Sequence, residues 1–321
     1  MITELQLTNY LVFKGSIHIE FDVCKKATII ASPNAAGKTS LISSIFWCLY
    51  GELPKEVNQS VCSLLNVEIA YSLEEDNSTQ VSVSITVQHN GEVFELSRIA
   101  DCVKTSGTIL IRHEHIYINQ CEDNVLFDTV VNHLFPRKFA PIFYWNEDLF
   151  YSMRRGLKME EFCPQEDKDS IARLANRLFN QIYFRSGQYE LLFDDELLAK
   201  EVTTGFCDVC PSMADTLMMK LSLLLACCLT VQEKQPNVSF PVLIDSIFLC
   251  AGADKARKPI DLLFNKSQFQ VIMAEHYQVI DDLFFSGCYY QQSINVYEIK
   301  PNQNCTTSIL VRKNAQQGAS I

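Results

Sequence analysis

The sequence has no internal repeat, no low-complexity segment and no long apolar run. Its longest strongly apolar stretch, residues 221–229, is too short to cross a bilayer. Residues 1–4 carry no basic segment followed by an apolar one, so no secretory signal is predicted. These absences favour a soluble, cytoplasmic protein that does not enter a membrane.

Basic residues are also scarce. The 321-residue chain has 27 lysines and arginines against 38 acidic residues, a formal net charge of −11. Such a chain does not bind polyanions in general, so any contact with DNA would need a local basic patch or a basic partner subunit. The best basic cluster, at 154–158, is equally typical of a solvated helix face. Because 48% of the residues are apolar and 20% are charged, a mainly disordered chain is excluded.

Cysteine is plentiful but has no pattern. The 13 cysteines are an odd number without a repeated spacing, which favours a reducing compartment over a disulfide framework. Cys207 and Cys210 form a single CxxC pair. Since a zinc site needs four ligands and no second pair is present, structural thiols are favoured over a metal or redox site.

Hydrophobic periodicity in the first half predicts strands, one helix and a hairpin. A buried strand at 27–31 is followed at 39–49 by helical spacing with one apolar face. Asn90 and Gly91 separate two alternating segments, which is a strong hairpin signal. The half-polar faces predict an antiparallel sheet with one side in water. The strands predicted here are 2–8, 17–21, 27–31, 67–73, 80–87, 93–99 and 109–118.

The second half begins with a stretch, 125–200, that is predicted to be mostly helical, without a long coiled coil. Helices and strands then alternate at a spacing typical of βαβ units, which predicts parallel strands. The helices predicted in this last part are 213–230, 253–264 and 277–285, and the strands are 240–244, 269–274, 294–299 and 308–311. The pattern predicts one α/β domain with an antiparallel insertion.

Residues 32–39, with the sequence SPNAAGKT, join the buried strand to the amphipathic helix, which is the position of a phosphate-binding P-loop. In such a loop, backbone N–H groups and the helix N-terminus face the anion. Lys38 would neutralise the β- and γ-phosphates, Thr39 would bind Mg²⁺, and Asn34 would reach the γ-phosphate side. The residues predicted to bind ATP here are Ser32, Asn34, Ala35, Ala36, Gly37, Lys38, Thr39 and Ser40.

The loop departs from the consensus at two positions. Ser32 stands where the first glycine belongs, and glycine is also common at the position of Ala35. Both substitutions stiffen the loop and add Cβ atoms near the phosphates. The alternative is an ordinary helix start in which Gly37, Lys38 and Thr39 occur together by chance.

Residues 2–10, which end in Leu7-Thr8-Asn9-Tyr10, and the P-loop that follows them resemble the corresponding part of the heads of the SMC, RecN, RecF and SbcC ATPases. In those proteins a similar strand precedes the P-loop by a similar distance. The resemblance implies an ABC-type P-loop NTPase head with a mixed, largely parallel core sheet, an antiparallel β lobe and a helical insertion. It also implies that two heads enclose the nucleotide in a dimer.

Two further segments are similar to motifs of that group. Asp245 follows a Walker B-like strand, and the resemblance implies that it holds Mg²⁺ through water from a strand beside the P-loop. The alternative is any buried strand that ends in an aspartate. Ser212, before Met213-Ala214-Asp215, is similar to the ABC signature serine, which contacts the γ-phosphate held by the opposite subunit. Ordinary helix capping by Ser212 and Asp215 explains the same residues.

His276, at the end of a strand 31 residues after Asp245, is similar to the switch histidine, which would touch the γ-phosphate or the attacking water. The segment 143–148 resembles the Q-loop region of the DndD ATPases of DNA phosphorothioation systems. Asn146 and Asp148 are its polar candidates, whereas its aromatic residues are more simply part of a core.

The departures from the family are large. Residue 246, where the family has the catalytic glutamate, is serine, and serine cannot act as a carboxylate base. Ala214 replaces the signature glycine, and Leu11 replaces an arginine that is common after the first motif. Only residues 151–200 stand where related heads carry a long coiled coil. Slow ATP hydrolysis is therefore expected, with Asp148, His276 or a partner subunit supplying the missing function.

The whole chain, 1–321, is accordingly predicted to be a two-lobed head. Lobe I is 1–150, a short helical insertion is 151–200, and lobe II is 201–321. The predicted function is an ATP-binding subunit, paired with an identical or related head, in a DNA-related complex with further proteins, for anti-phage defence or DNA repair. DNA contact would come through a partner. The alternatives are a non-hydrolysing scaffold subunit and a small-molecule kinase, and the chain lacks the arginine-rich lid of a kinase.

Overall fold

The computed structural model of the protein describes most of the chain. The candidates Asp148, Cys207 and Cys210 and the basic cluster at 154–158 lie outside the described residues. The described residues are 1–54, 63–146, 167–183, 186–193, 197–205, 212–248, 253–266, 269–285, 294–303 and 308–313.

The elements alternate as the periodicity predicts over most of the described chain. The strands are β1 (Ile2–Thr8), β2 (Ser16–Glu20), β3 (Ala27–Ser32), β4 (Ser78–His89), β5 (Glu92–Thr105), β6 (Thr108–Ile118), β7 (Tyr144–Asn146), β8 (Tyr189–Phe193), β9 (Leu197–Glu201), β10 (Val242–Asp245), β11 (Val271–His276), β12 (Ile294–Pro301) and β13 (Ser308–Lys313). The α-helices are α1 (Lys38–Tyr50), α2 (Val67–Ser72), α3 (Asn124–Leu134), α4 (Ala140–Phe143), α5 (Lys168–Ile182), α6 (Met213–Lys234), α7 (Ala253–Lys266) and α8 (Tyr277–Ile280). A π-helical turn, Asp281–Phe285, continues α8.

The central sheet has the strand order β13-β12-β3-β11-β10-β7, and its strands are parallel except for β13. Helix α7 connects β10 to β11, which confirms the predicted βαβ unit. Strand β11 lies between β3, which leads into the P-loop, and β10, which ends in Asp245. Since parallel strands end at the same edge of a sheet, Asp245 and the loop after β3 still meet there.

The antiparallel sheet has the order β2-β1-β4-β5-β6. Buried and partly exposed residues alternate along β4, so one face of this strand packs on the core, as predicted. Asn90 and Gly91, with φ angles of 51° and 85°, form the hairpin turn between β4 and β5. Positive φ at both central residues is typical of the two-residue hairpin that Asn-Gly favours.

Helix α1 packs against strands of both sheets. Every residue from Leu41 to Leu49 is consequently buried. The prediction of a single apolar face on this helix is therefore too narrow, because a helix covered on two sides needs small or apolar residues nearly all round. This position fixes α1, and the loop that precedes it, rigidly between the two layers.

The prediction of a strand at 67–73 is wrong, because α2 occupies these residues. The side chain of Asn66 caps the helix by accepting a hydrogen bond from the backbone N–H of Glu68 at 3.1 Å. Ile69, Ala70 and Leu73 pack against the core from one helical face. In so short a segment, the alternation of Val67 and Ile69 fits either structure.

The prediction of mostly helical structure at 125–200 is confirmed by α3 and α5 but wrong for β7, which joins the central sheet, and for β8 and β9, which form an antiparallel hairpin. Asn176 of α5 attaches the hairpin to the helix. Its side-chain amide donates to the Leu191 carbonyl and accepts from the Leu191 N–H, each at 2.9 Å. Leu191 itself is buried.

Helix α6 packs against α4, α5 and α7. By length and composition, its segment Asp215–Lys234 is long and apolar enough to cross a membrane, and 78% of its most apolar 18-residue window is buried inside the fold. The helix is longer than the apolar run at 221–229 because mixed segments that include Asp215, Lys220 and Lys234 continue it at both ends. Its apolar side chains are part of the hydrophobic core.

Candidate functional site

The loop 33–37 leaves the end of β3 and enters α1, as a P-loop does. Gly37 has a φ angle of 109°, and a Cβ atom there would lie 2.4 Å from Cγ2 of Val12. Ala35 has a φ angle of 59°, in the left-handed region that favours glycine. The loop therefore has the conformation of a glycine-rich turn, although alanine occupies one of its left-handed positions.

The side chain of Lys38 lies beneath the loop and is only 6% exposed. Its ammonium group donates to the Pro33 carbonyl at 2.9 Å and to the Ser32 hydroxyl at 3.4 Å. Ser32 is fully buried, whereas Asn34 and Thr39 are exposed at the mouth of the loop. The extra side chain of Ser32 therefore does not narrow the mouth.

Asp245 lies at the end of β10 and is 4% exposed. Burial raises the pKa of this carboxyl above its ordinary value, while a hydrogen bond with the Thr39 side chain and the charge of Lys38 oppose that rise. The Tyr144 hydroxyl also lies 3.5 Å from Oδ2 of Asp245. The structure thus brings together the carboxylate, the hydroxyl and the ammonium group that the motifs predict at one site.

Ser246 follows Asp245 with a φ angle of 58°, in the left-handed region. Its hydroxyl donates to Oδ1 of Asp245 at 3.3 Å, and its backbone N–H donates to the Ala274 carbonyl at 2.8 Å. Its side chain therefore contacts the Asp245 carboxylate and contributes no carboxylate of its own to the site.

His276 ends β11 opposite Ser32 of β3. Its Nδ1 accepts a hydrogen bond from the backbone N–H of Gln278 at 3.4 Å, so the ring caps α8. Burial lowers the pKa of this imidazole, and the charge of Lys38 lowers it further. Both effects favour the neutral ring at the same sheet edge as Asp245.

Ser212 begins α6 with a reciprocal capping box. Its hydroxyl accepts from the Asp215 N–H, and the Asp215 carboxylate accepts from the Ser212 N–H, both at 3.3 Å. This geometry is the ordinary capping that the sequence offers as the alternative to a ligand contact. Ser212 is nevertheless exposed at a helix N-terminus.

The aromatic segment before residue 147 belongs to the core, as predicted. Phe143 and Trp145 are buried, and the ring of Tyr144 packs on Phe46 with centroids 5.0 Å apart. Asn146 is buried and lies beside Asp245 in the register of β7 and β10.

Two contacts at the site escape prediction from sequence. The Ser308 hydroxyl donates to the Ala36 carbonyl at 2.7 Å, and its N–H donates to the Val12 carbonyl at 2.8 Å. Strand β13 therefore fixes the P-loop from the side.

Glu275, next to His276, is a fully buried carboxylate inside the central sheet. A charged residue directly after the apolar run 271–274, and before the end of the strand, is the sequence signal for it.

The described cysteines belong to no cluster of metal-binding side chains. No group of three or more His, Cys, Asp or Glu residues in the described part of the chain is placed to hold a metal ion. The cysteines described as free thiols are Cys24, Cys48, Cys102, Cys121, Cys227 and Cys228.

Residues 4–204 match the model of the AAA domain family, and this span is more than half of the chain. No curated protein sequence matches the chain significantly. The sequence comparisons therefore assign the chain to a family but to no individual curated protein.

Solved structures of SMC heads share the fold over nearly their full lengths. The SMC head domain from Thermotoga maritima has a TM-score of 0.60 and 13% identity, covering 97% of this chain and 98% of that one. An Smc head bound to the C-winged helix domain of ScpA has a TM-score of 0.69 and 12% identity, covering 100% and 99%. An Smc head with an extended coiled coil, bound to the C-terminal domain of ScpA derived from Pyrococcus furiosus, has a TM-score of 0.66 and 11% identity, covering 98% and 97%. The predicted fold, an α/β P-loop ATPase head with an antiparallel sheet, is confirmed.

Proposed function

Since the chain belongs to the AAA domain family, we propose that it is an ATP-binding, ABC-type head subunit. Lys38, Thr39 and Asp245 hold the triphosphate and its magnesium ion in this proposal. The observation that carries it is the meeting of these three side chains at one edge of the central sheet, with Thr39 hydrogen-bonded to the buried Asp245 carboxylate.

The donor set at this edge fits Mg²⁺. Magnesium prefers oxygen ligands and keeps several waters, so that one carboxylate and one hydroxyl are sufficient protein ligands beside the phosphates. Burial alone disfavours the charged form of Asp245, and a bound cation favours that form. When bound, the ion neutralises charge that develops on the phosphates during transfer.

The remaining residues of the loop hold the phosphates. The first-turn backbone N–H groups of α1, which have no acceptor within the helix itself, are the donors for the anion in this proposal. Lys38 is already desolvated beneath the loop, where its charge acts strongly on a nearby phosphate. Asn34 and Ser40 border the opening and are placed to contact the nucleotide, Asn34 at the γ-phosphate. His276 presents a neutral imidazole to the attacking water.

We propose slow hydrolysis, because Ser246 stands where a carboxylate base would act and its hydroxyl is bonded to Asp245. The same observation favours the second candidate function, a subunit that binds ATP without hydrolysing it and so stabilises an assembly. The residues 143–148, which resemble DndD, favour a role in anti-phage defence or DNA repair.

We propose further that the head works as a dimer, with an identical or a related head. Ser212, exposed at the N-terminus of α6, contacts the γ-phosphate held by the partner. Additional protein subunits join this dimer, and one of them supplies the basic surface for DNA, because the chain itself carries a net charge of −11.

Binding of a fluorescent ATP analogue with Mg²⁺ tests the proposal. Lys38→Ala is expected to weaken binding at least tenfold. Lys26→Ala is the matched control, because Lys26 precedes β3 at the opposite edge of the same sheet. Equal affinities of the two variants would contradict the proposal. Phosphate release with and without DNA then separates a slow ATPase from a non-hydrolysing subunit.

A further inference from the structure

The carboxylate of Glu275 is a charged group that neither the P-loop nor the Walker B-like strand accounts for. Glu275 lies in β11, between the strand that leads into the P-loop and the strand that ends in Asp245. Its neighbour Ala274 pairs with Asp245, and Glu275 itself pairs with Ala31 of β3. The side chain is 0% exposed.

Both carboxylate oxygens of Glu275 are engaged by main-chain N–H groups. Oε2 accepts from the N–H of Phe248 at 2.8 Å, and Oε1 accepts from the N–H of His276 at 3.0 Å. Ser246 donates to the Ala274 carbonyl in the same region. The turn that follows Asp245 is therefore fastened to β11 at two points, Ser246 and Phe248.

The charges at the site act on this carboxylate from two sides. Burial raises the pKa of Glu275 to about 7, the Lys38 ammonium lowers it, and the Asp245 carboxylate raises it. Glu275 thus lies within the electrostatic reach of both groups that the proposed function assigns to magnesium and phosphate.

A purely structural requirement explains these contacts poorly. Burying an ionisable side chain costs free energy. Replacing it by an apolar side chain of similar size often leaves the stability of the protein unchanged. An acceptor for one backbone N–H could also be a neutral amide. A carboxylate with two bonded oxygens, one residue along β11 from the partner of Asp245, fits a group that orients a metal ligand.

We propose that Glu275 is a positioning residue for Asp245. By accepting the hydrogen bond from the main chain of Phe248, Glu275 holds the turn 246–248 in place and keeps the Asp245 carboxylate oriented toward magnesium. This inference rests on the proposed function. Glu275 touches neither the nucleotide nor the ion. It acts through the turn, as residues that orient metal ligands do in other metal sites.

The affinity for a fluorescent ATP analogue, measured in Mg²⁺ and again in EDTA, tests the inference. The ratio of the two affinities reports the magnesium-dependent part of binding. Glu275→Gln keeps the size of the side chain but replaces one acceptor oxygen by a donor, and we expect that ratio to fall about tenfold or more. The affinity in EDTA, which depends on the P-loop, stays within about twofold of the wild-type value because Lys38 and the loop are intact.

Glu298→Gln is the matched control, because Glu298 pairs with Ala31 from the other side of β3 and the substitution is chemically the same. It is expected to keep the wild-type ratio. An unchanged ratio for Glu275→Gln overturns the inference and leaves the proposed function intact. A wild-type chain that binds no ATP overturns both, and an equal loss in Mg²⁺ and in EDTA shows that Glu275 only supports the fold.

Hydrogen exchange of the wild-type chain supplies a test without any variant. Binding of magnesium and ordering of the turn are linked reciprocally if Glu275 couples them. The amide of Phe248 is therefore expected to exchange more slowly with ATP and Mg²⁺ than with ATP in EDTA. Equal exchange rates in the two conditions contradict the inference even if the Glu275→Gln chain fails to fold.

Discussion

Gly37 lies against Val12 so closely that a Cβ atom on Gly37 would be 2.4 Å from Cγ2 of Val12. We predict that Gly37→Ala lowers the free energy of unfolding by about 3 kcal/mol, because it combines a left-handed backbone with a steric overlap. Denaturant unfolding measures this change. The substitution also displaces the N-terminus of α1, so that binding of the ATP analogue is lost.

Gly91→Ala separates the two causes. Gly91 also has a positive φ angle, 85°, but nothing lies within 4 Å of its added Cβ. The loss of stability there is expected to be about 1 kcal/mol, from the backbone alone. Val12→Ala in the Gly37→Ala chain removes the overlapping methyl and should restore part of the stability. Equal losses for Gly37→Ala and Gly91→Ala would show that contact with Val12 contributes nothing.

Ser246→Glu is predicted to raise the rate of ATP hydrolysis on the order of 100-fold, because it places a carboxylate after Asp245 where general-base catalysis is missing. The φ angle of residue 246 is positive for serine already, so glutamate adds no new backbone strain. Steady-state phosphate release measures the effect, with Ser246→Gln as the control of equal size. No increase for Ser246→Glu, with ATP binding unchanged, would mean that the missing carboxylate does not limit hydrolysis.

Ser212 allows capping to be separated from a contact with a partner subunit. Ser212→Ala removes the capping hydroxyl and is predicted to lower the free energy of unfolding by about 1 kcal/mol. Ser212→Asn keeps a good cap and so keeps stability, but it lacks the hydroxyl proposed to meet the γ-phosphate. Light scattering with ATP and Mg²⁺ is expected to show dimers of the wild-type chain and fewer dimers of both variants. A Ser212→Asn chain that dimerises normally would leave Ser212 with its capping role alone.

Lys220 provides a pH dependence with a defined sign. It lies in α6, is 4% exposed, and burial lowers its pKa from 10.5 to about 7. Between these values the unfolded chain binds more protons than the folded one, so the free energy of unfolding increases with pH. Relative to Lys220→Met, the wild-type chain is predicted to gain about 2 kcal/mol between pH 7 and pH 9.

Urea unfolding of both chains at the two pH values measures the gain at Lys220. Lys300→Met is the control, because the side chain of Lys300 is 53% exposed. It should show the same pH dependence as the wild-type chain. If Lys220→Met shows that dependence as well, the side chain does not lose its proton on folding.

The sequence predicts those parts of the site that follow from local motifs and from the order of strands and helices along the chain. A strand, the loop with Lys38, a helix, and later a strand ending in Asp245 are local patterns, and parallel strands bring their ends to one edge. Glu275 and Ser308 could not be found in this way. The burial of Glu275 depends on strands β3 and β10 at its sides, and the partner of Ser308 lies 272 residues away.

The fold was predictable where hydrophobic spacing extends over several turns or strands. The prediction failed at α2, because its six residues fit both the helical and the strand period. The cap formed by Asn66 favours the helix. The prediction failed again at the hairpin of β8 and β9, whose position depends on the two hydrogen bonds of Asn176 to Leu191. A side chain that hydrogen-bonds to the backbone of a residue outside its own helix or strand leaves no periodic signal in the sequence.

The contact of Ser308 with Ala36 has a consequence for the order in which the molecule matures. A growing chain on the ribosome exposes the P-loop long before residues 308–313 are synthesised. Until then the Ala36 carbonyl lacks the hydroxyl that donates to it, and Val12 lacks its own donor from the same residue. The loop after β3 therefore gains these two contacts from β13 only after residue 308 has been synthesised, so its native conformation depends on a segment made much later.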